Sequence, residues 1–277
     1  MKQYPAPADL NDKEIETRDL ALRTGQAVAG QHPGVQIAEK VLPCQALQLD
    51  IQHPAHRWQL LVPLITKTGA KSATQVEKEA KAMAMGHYEG LWRDHLASVI
   101  AKTEYTDIDG HNLPASHALT TLVQLMLRVR SGKGKFIFIG NGGSAGIASH
   151  MAEDFTKTGG VRSVTFNDAA LITCYANDYG WDKALARAVD HYGDPGDVLV
   201  AISSSGKSQN ILNAVEAAKA KAMNVVTLSG FAPDNPLRAH GNVSIWAPAH
   251  QYGFVETAHA AILHMALDIF NGWVGQA

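Results

Sequence analysis

Residues 135–150, KFIFIGNGGSAGIASH, bring an apolar β-branched run, a turn of Asn141, Gly142, Gly143 and Ser144, and a helix-compatible stretch into one short segment. An anion-binding turn needs backbone N–H groups that close on the charge, a hydroxyl donor, and a helix that points its positive dipole end at the anion. The two glycines, Ser144 and the helix that follows supply all three, so the segment reads as a phosphate cradle. It lacks the Gly-Lys-Ser/Thr ending of the Walker loop and the G-x-G-x-x-G order of dinucleotide-binding folds. The competing reading is a tight strand-to-helix turn with a serine N-cap.

A second loop repeats this chemistry. The run DVLVAIS ends in Ser203, Ser204, Ser205, Gly206, Lys207 and Ser208, and a helical pattern begins near Gln209. Four hydroxyls, a flexible glycine and fresh helix N–H groups can each aim a donor at one phosphate oxygen. Ligands of open parallel sheets bind beyond the carboxyl ends of strands, where both loops fall, so the two are expected to converge.

The candidate acid–base and metal chemistry lies on helical stretches. His150 and Asp154 are four residues apart, share a face, and can grip one ion or flank one substrate. Glu256 and His264 are eight apart, on one stripe of a mostly apolar helix containing AHAAILHMALDIF. A histidine in such company is often a satisfied core residue, and His259, off that stripe, fits the core role better.

The elements that must position these residues follow from about residue 82 onward, where helical patterns alternate with short β-branched runs. That order predicts a parallel sheet covered on both faces. Helices are expected at 85–102, 115–131, Ser144 to Thr158, over ALARAVDHY and SQNILNAVEAAKAKA, and from Val255 to Trp273. Strands are expected at KFIFIG, RSVTF, DVLVAIS, MNVVTLS and NVSIWA, with FNDAAL as a polar turn. Residues 1–81 show no sustained period and read as an appended extension or a partly disordered arm. In that extension His53, His56 and Trp58 read as surface or packing residues, and not as ligands.

A length of 277 residues permits a full core, and a net charge of -2 gives no electrostatic reason to expect nucleic acid or an anionic membrane as partner. The N-terminal residues lack the apolar core of a secretory signal, and WQLLVPLI is too short to span a bilayer, so a cytosolic location is expected. Cys44 and Cys174 form no C-x-x-C and suggest neither a disulfide framework nor a thiolate metal site.

Taken together, residues 82–277 resemble a sugar isomerase (SIS) domain, and within that class the bacterial phosphoheptose isomerases. The resemblance rests on GNGGSAGIASHMAED, ITCYANDYGWDKALARAV, AISSSGKSQNIL and ETAHAAILH. It implies an SIS-type three-layer α/β sandwich with a central parallel sheet flanked by helices. It further implies that Asn141, Gly142, Gly143, Ser144, Ser203, Ser204, Ser205 and Ser208 surround a sugar phosphate, with Asn177 and Asp178 also at the substrate. His150, Asp154, Glu256 and His264 fall on the family's metal-ligand positions, and Asp154 and His264 also on those of its base and acid. One divalent ion per site is implied, with zinc favoured by the donor set and manganese or iron compatible with it. The family pattern also implies a homotetramer with sites at subunit interfaces.

Four positions depart from the pattern: Asp154 replaces a usual glutamate, Glu256 a usual glutamine, Thr158 a phosphate-side arginine, and Gly253 an aspartate. The expected activity is interconversion of sedoheptulose 7-phosphate and D-glycero-D-manno-heptose 7-phosphate through an enediol. Two alternatives stand beside it: an isomerase of another sugar phosphate, and a non-catalytic domain that binds a replication initiator or another protein.

Overall fold

The computed structural model describes residues 88–273. The extension expected at 1–81, with Cys44, His53, His56 and Trp58, therefore lies outside the described residues. Helix α1 spans 88–101, and the chain from Asp94 onward forms one compact unit. A hairpin of β1 (Glu104–Asp107) and β2 (Asn112–Leu113) precedes α2 (Ala115–Ser131), β3 (Phe136–Gly140), α3 (Gly143–Lys157) and β4 (Ser163–Thr165). Then come α4 (Ala169–Tyr179), α5 (Trp181–Tyr192), β5 (Val198–Ser203), α6 (Gln209–Ala220) and β6 (Asn224–Ser229). A 3₁₀ turn (Pro236–Ala239), β7 (Val243–Trp246) and α7 (Tyr252–Asn271) complete the order.

The central strands are continuous apolar runs because both faces of the sheet are covered. In β3 every residue is buried, and the strand's alternation divides its side chains between two cores. Phe136 and Phe138 face α2, α3 and α7, where Phe155, Met126, Met151 and Ile262 close around them. Ile137 and Ile139 face the opposite layer, with Leu185 and Val189 of α5 and Ile211 and Val215 of α6. This gives the expected three-layer sandwich.

The strand order is β2-β1-β7-β6-β5-β3-β4. Strands β4, β3, β5, β6 and β7 run parallel, but β1 pairs antiparallel with both β7 and β2. The sheet is thus mostly parallel with an antiparallel edge. After β3 the chain moves outward to β4 and then returns to β5 on the other side of β3. The boundary between β3 and β5 is therefore a topological switch point, where successive connections diverge and leave a crevice. Gly140 at the end of β3 pairs with Ile202, next to Ser203 at the end of β5, so the two candidate phosphate loops leave the sheet side by side.

Helix α4 begins inside the expected polar turn FNDAAL, at Ala169. Asp168 caps it, its carboxylate accepting the backbone N–H of Leu171 at 3.0 Å, although none of the helix's residues is fully buried. Among the described residues no helix is long and apolar enough to cross a membrane.

Candidate active site

The two loops form one cleft. Asn141, Ser144, Ile202, Ser203, Ser204, Ser205, Ser208, Tyr252 and Glu256 line it, enclosing about 110 Å³. Asn141 and Asn210 tie the loops together through a reciprocal amide pair, each side-chain N–H donating to the other's carbonyl oxygen at 2.9 Å. Asn210 is 2% exposed, and such a buried amide holds its position only because its partners are satisfied. The pair fixes the spacing between the N-termini of α3 and α6, the two positive helix ends that face the cleft.

Ser144 and Ser204 are both buried against the cleft. The Ser203 hydroxyl donates to the Ser208 hydroxyl at 3.3 Å, whereas the Ser204 hydroxyl has no hydrogen-bond partner among the described residues. A buried hydroxyl without a partner forfeits about 1–3 kcal/mol, a cost that an arriving acceptor would remove. Gly206 shapes the back of the loop at φ +62°, and a Cβ there would overlap the side chain of Asn235. That asparagine is anchored in turn, its amide donating to the Ala232 carbonyl at 2.8 Å. Lys207 is exposed and does not line the cleft.

A second cluster lies further along α3 and α7. His150 Nε2 stands 3.3 Å from Asp154 Oδ2, and His264 Nδ1 stands 3.7 Å from the same oxygen. The two imidazoles meet edge to face at 5.3 Å between centroids. One ligand atom from each of the three residues lies within 4.8 Å of the others. Two imidazoles and a carboxylate, all partly open to solvent, form a donor set that fits a divalent ion with a position left for another ligand. Ser144 precedes His150 by six residues on α3, roughly 9 Å along the helix axis, so cleft and cluster sit on the same helix at different heights.

Glu256 is not one of these three. It lines the cleft, and its carboxylate rests on Gly143 at the start of α3, where a Cβ would collide with it. Burial pushes its carboxyl above the ordinary glutamate value. Asn177 and Asp178 lie on α4, exposed, with the Asn177 amide donating to Asp178 at 2.9 Å. They are not among the residues of the cleft. Thr158 ends α3, roughly 21 Å along the axis from Ser144, while Gly253 lies in the first turn of α7.

His259 is a core residue, as its position off the Glu256–His264 stripe suggests. It is 0% exposed and its Nε2 lies 2.9 Å from the Ser229 carbonyl, which selects the tautomer with the proton on Nε2. Two residues of the site carry no sequence signal of their own: Tyr252, which lines the cleft, and Asn210, which holds Asn141 in place behind it. Asn210 was detectable only as a polar residue on the inward face of α6, and Tyr252 only as a member of the α7 first turn.

The mostly parallel sheet carries two hydroxyl-rich loops at its switch point, and the model of the SIS domain matches residues 114–230. A phosphoheptose isomerase of Tolumonas auensis is 34% identical over 169 residues, 59% of this chain and 86% of that protein. Solved phosphoheptose isomerases of Neisseria gonorrhoeae and Francisella tularensis superpose with TM-scores of 0.56 and 0.57 at 28% and 25% identity. Each match covers 67% of this chain, and respectively 99% and 97% of the other. The chain belongs to the SIS-domain family of phosphoheptose isomerases and is an enzyme, a sugar phosphate isomerase.

Proposed function

We propose that this enzyme interconverts sedoheptulose 7-phosphate and D-glycero-D-manno-heptose 7-phosphate. The observation that carries the proposal is the pairing of an anion cleft with the His150–Asp154–His264 cluster on the same two helices. A phosphorylated sugar anchored by Ser144, Ser203, Ser204, Ser205 and Ser208, with Asn141, Gly142 and Gly143 shaping the turn, directs its carbonyl end along α3 toward the cluster. Binding energy from the remote phosphate then goes into positioning the reacting carbons.

Isomerisation moves a proton between two adjacent carbons through an enediol. Asp154 and His264 are the residues proposed to share those transfers, one taking the carbon-bound proton and the other exchanging protons with the sugar oxygens. His264 turns Nδ1 toward Asp154, which leaves its other ring nitrogen for the substrate. His150, Asp154 and His264 would hold a divalent ion, zinc being the best match to two imidazoles and a carboxylate, and the ion would supply charge stabilisation for the developing oxyanion. Glu256 belongs to the family's ligand set by position, yet its place on Gly143 favours a role in the cleft.

A homotetramer completes the proposal. The open face of α4, with Tyr179 exposed, and the nearby exposed Trp181 and Tyr192 present apolar surface of the kind that oligomers cover. Contact from a second copy would also shield the half-open cluster and bring the α4 segment of Asn177 and Asp178 into use.

The departures at Asp154, Glu256 and Thr158 favour, as the second reading, an isomerase of a different sugar phosphate. Steady-state turnover across a panel of five-, six- and seven-carbon sugar phosphates separates the two. The proposal expects kcat/KM for sedoheptulose 7-phosphate to exceed the others. Preference for a shorter sugar phosphate would overturn it in favour of the second reading.

A further inference from the structure

Glu256 places a full carboxylate inside a cleft otherwise built from hydroxyls, amides and helix N-termini. Its oxygens lie against Gly143, at the positive end of α3, and the same cleft holds the buried, unpartnered hydroxyl of Ser204. No lysine or arginine is among the residues that line it. A phosphate dianion entering this space meets the Glu256 carboxylate, with no cationic side chain among the described residues that line the cleft to offset it. At separations of a few ångströms in a partly desolvated cleft such repulsion is substantial.

We infer that Glu256 is a specificity-determining residue that makes the cleft reject bare phosphate and accept a phosphate only when a polyol chain comes with it. The inference rests on the proposed reading of the cleft as the phosphate site. In the free enzyme the carboxylate takes the place at the α3 N-terminus that an anion would seek, a favourable arrangement for a negative group at a helix start. An inorganic phosphate ion has only its own charge to set against it. A sugar phosphate brings hydroxyl donors close to the phosphate-bearing carbon, and these can satisfy the carboxylate as acceptor. The carboxylate thus discriminates through what it repels as much as through what it binds.

The position also separates this role from metal ligation. His150, Asp154 and His264 already bring their ligand atoms within 4.8 Å of one another, without Glu256. A glutamine at 256 would keep the shape of the side chain and an acceptor oxygen while removing the charge.

The test is isothermal titration of the full-length protein with inorganic phosphate and, separately, with sedoheptulose 7-phosphate, together with elemental analysis of the purified proteins. Wild type, Glu256→Gln and Glu256→Ala are compared, the alanine variant guarding against a defect specific to the amide. The inference expects phosphate to bind at least about tenfold more tightly when the charge is removed. It expects the sugar phosphate to gain less, so that the ratio of the two affinities falls, while the metal content stays at the wild-type level. Loss of the metal in both variants would make Glu256 a ligand and overturn the inference. Equal affinities for phosphate in all three proteins would overturn it while leaving the phosphate cleft intact. Failure of all three to bind either compound would overturn the cleft reading itself, and the inference with it.

Discussion

Ser204 concentrates the logic of the site in one atom. Its hydroxyl is buried at the mouth of β5 and lacks a partner, so the fold maintains a donor whose cost is recovered only when an acceptor arrives. Replacing Ser204 and Ser205 together by alanine should raise KM for a sugar phosphate by well over tenfold, since hydrogen bonds to a charged group contribute about 1.5–3 kcal/mol each. Steady-state kinetics read this directly, and an unchanged KM would remove the serine loop from the site. At the cluster, His150→Ala leaves one imidazole and one carboxylate, too few for tight binding. Elemental analysis should find the divalent ion in wild-type protein and not in the variant. The serine loops were legible in the sequence because their chemistry is local: a strand, a turn and a helix start within a dozen residues. Tyr252 and Asn210 were not, because the packing of helices onto the sheet brings the one to the cleft and the other to Asn141 behind it. The resting place of Glu256 was equally hidden, since it depends on how closely α7 approaches the glycine that opens α3.

The same contrast holds for whole elements. Strands β3, β5 and β6 announce themselves as uninterrupted apolar runs because they are buried on both faces, and helices α3, α6 and α7 follow from their spacing and flanking turns. The hairpin of β1 and β2 leaves little trace, being four residues and two residues long, with a polar face on each strand. Helix α4 escapes for a related reason: with no residue fully buried, it lacks the one-sided burial that makes a helix recognisable. Helix α7 has a pH dependence of its own. Burial pushes the pKa of His259 from 6.5 down to about 4, against a smaller opposing effect of the Ser229 carbonyl. Between those values the unfolded chain binds the proton and the folded protein does not. Stability from this residue is therefore fully present above about pH 6.5 and is lost as pH falls toward 4, by about 3 kcal/mol over the whole window. Chemical denaturation at pH 7 and pH 5 should show a steeper loss for wild type than for His259→Leu. Parallel losses in the two proteins would contradict the assignment.

For the whole molecule, the arrangement of the sheet decides what chemistry is possible. A switch point between β3 and β5 sets two hydroxyl-rich loops side by side, and α3 and α7 carry residues of both the cleft and the His–Asp–His cluster. The proposed phosphate site and the residues proposed for proton transfer are thereby held at a fixed separation by rigid elements, which is what a reaction at the far end of a flexible sugar requires. The three-layer order was legible from the alternation of helices and strands, whereas the antiparallel edge was not, because a short strand can join an open sheet in either direction. The central claim is that this fold removes a carbon-bound proton from a sugar phosphate with Asp154 and His264. Incubation of the enzyme with sedoheptulose 7-phosphate in D₂O, followed by NMR, tests it most directly. Aldose product should form, with deuterium at the carbon beside the carbonyl wherever the base exchanges with solvent, and His264→Ala should slow product formation by roughly 10²–10⁴-fold while retaining the bound phosphate. Product formation at an undiminished rate in His264→Ala would contradict the account.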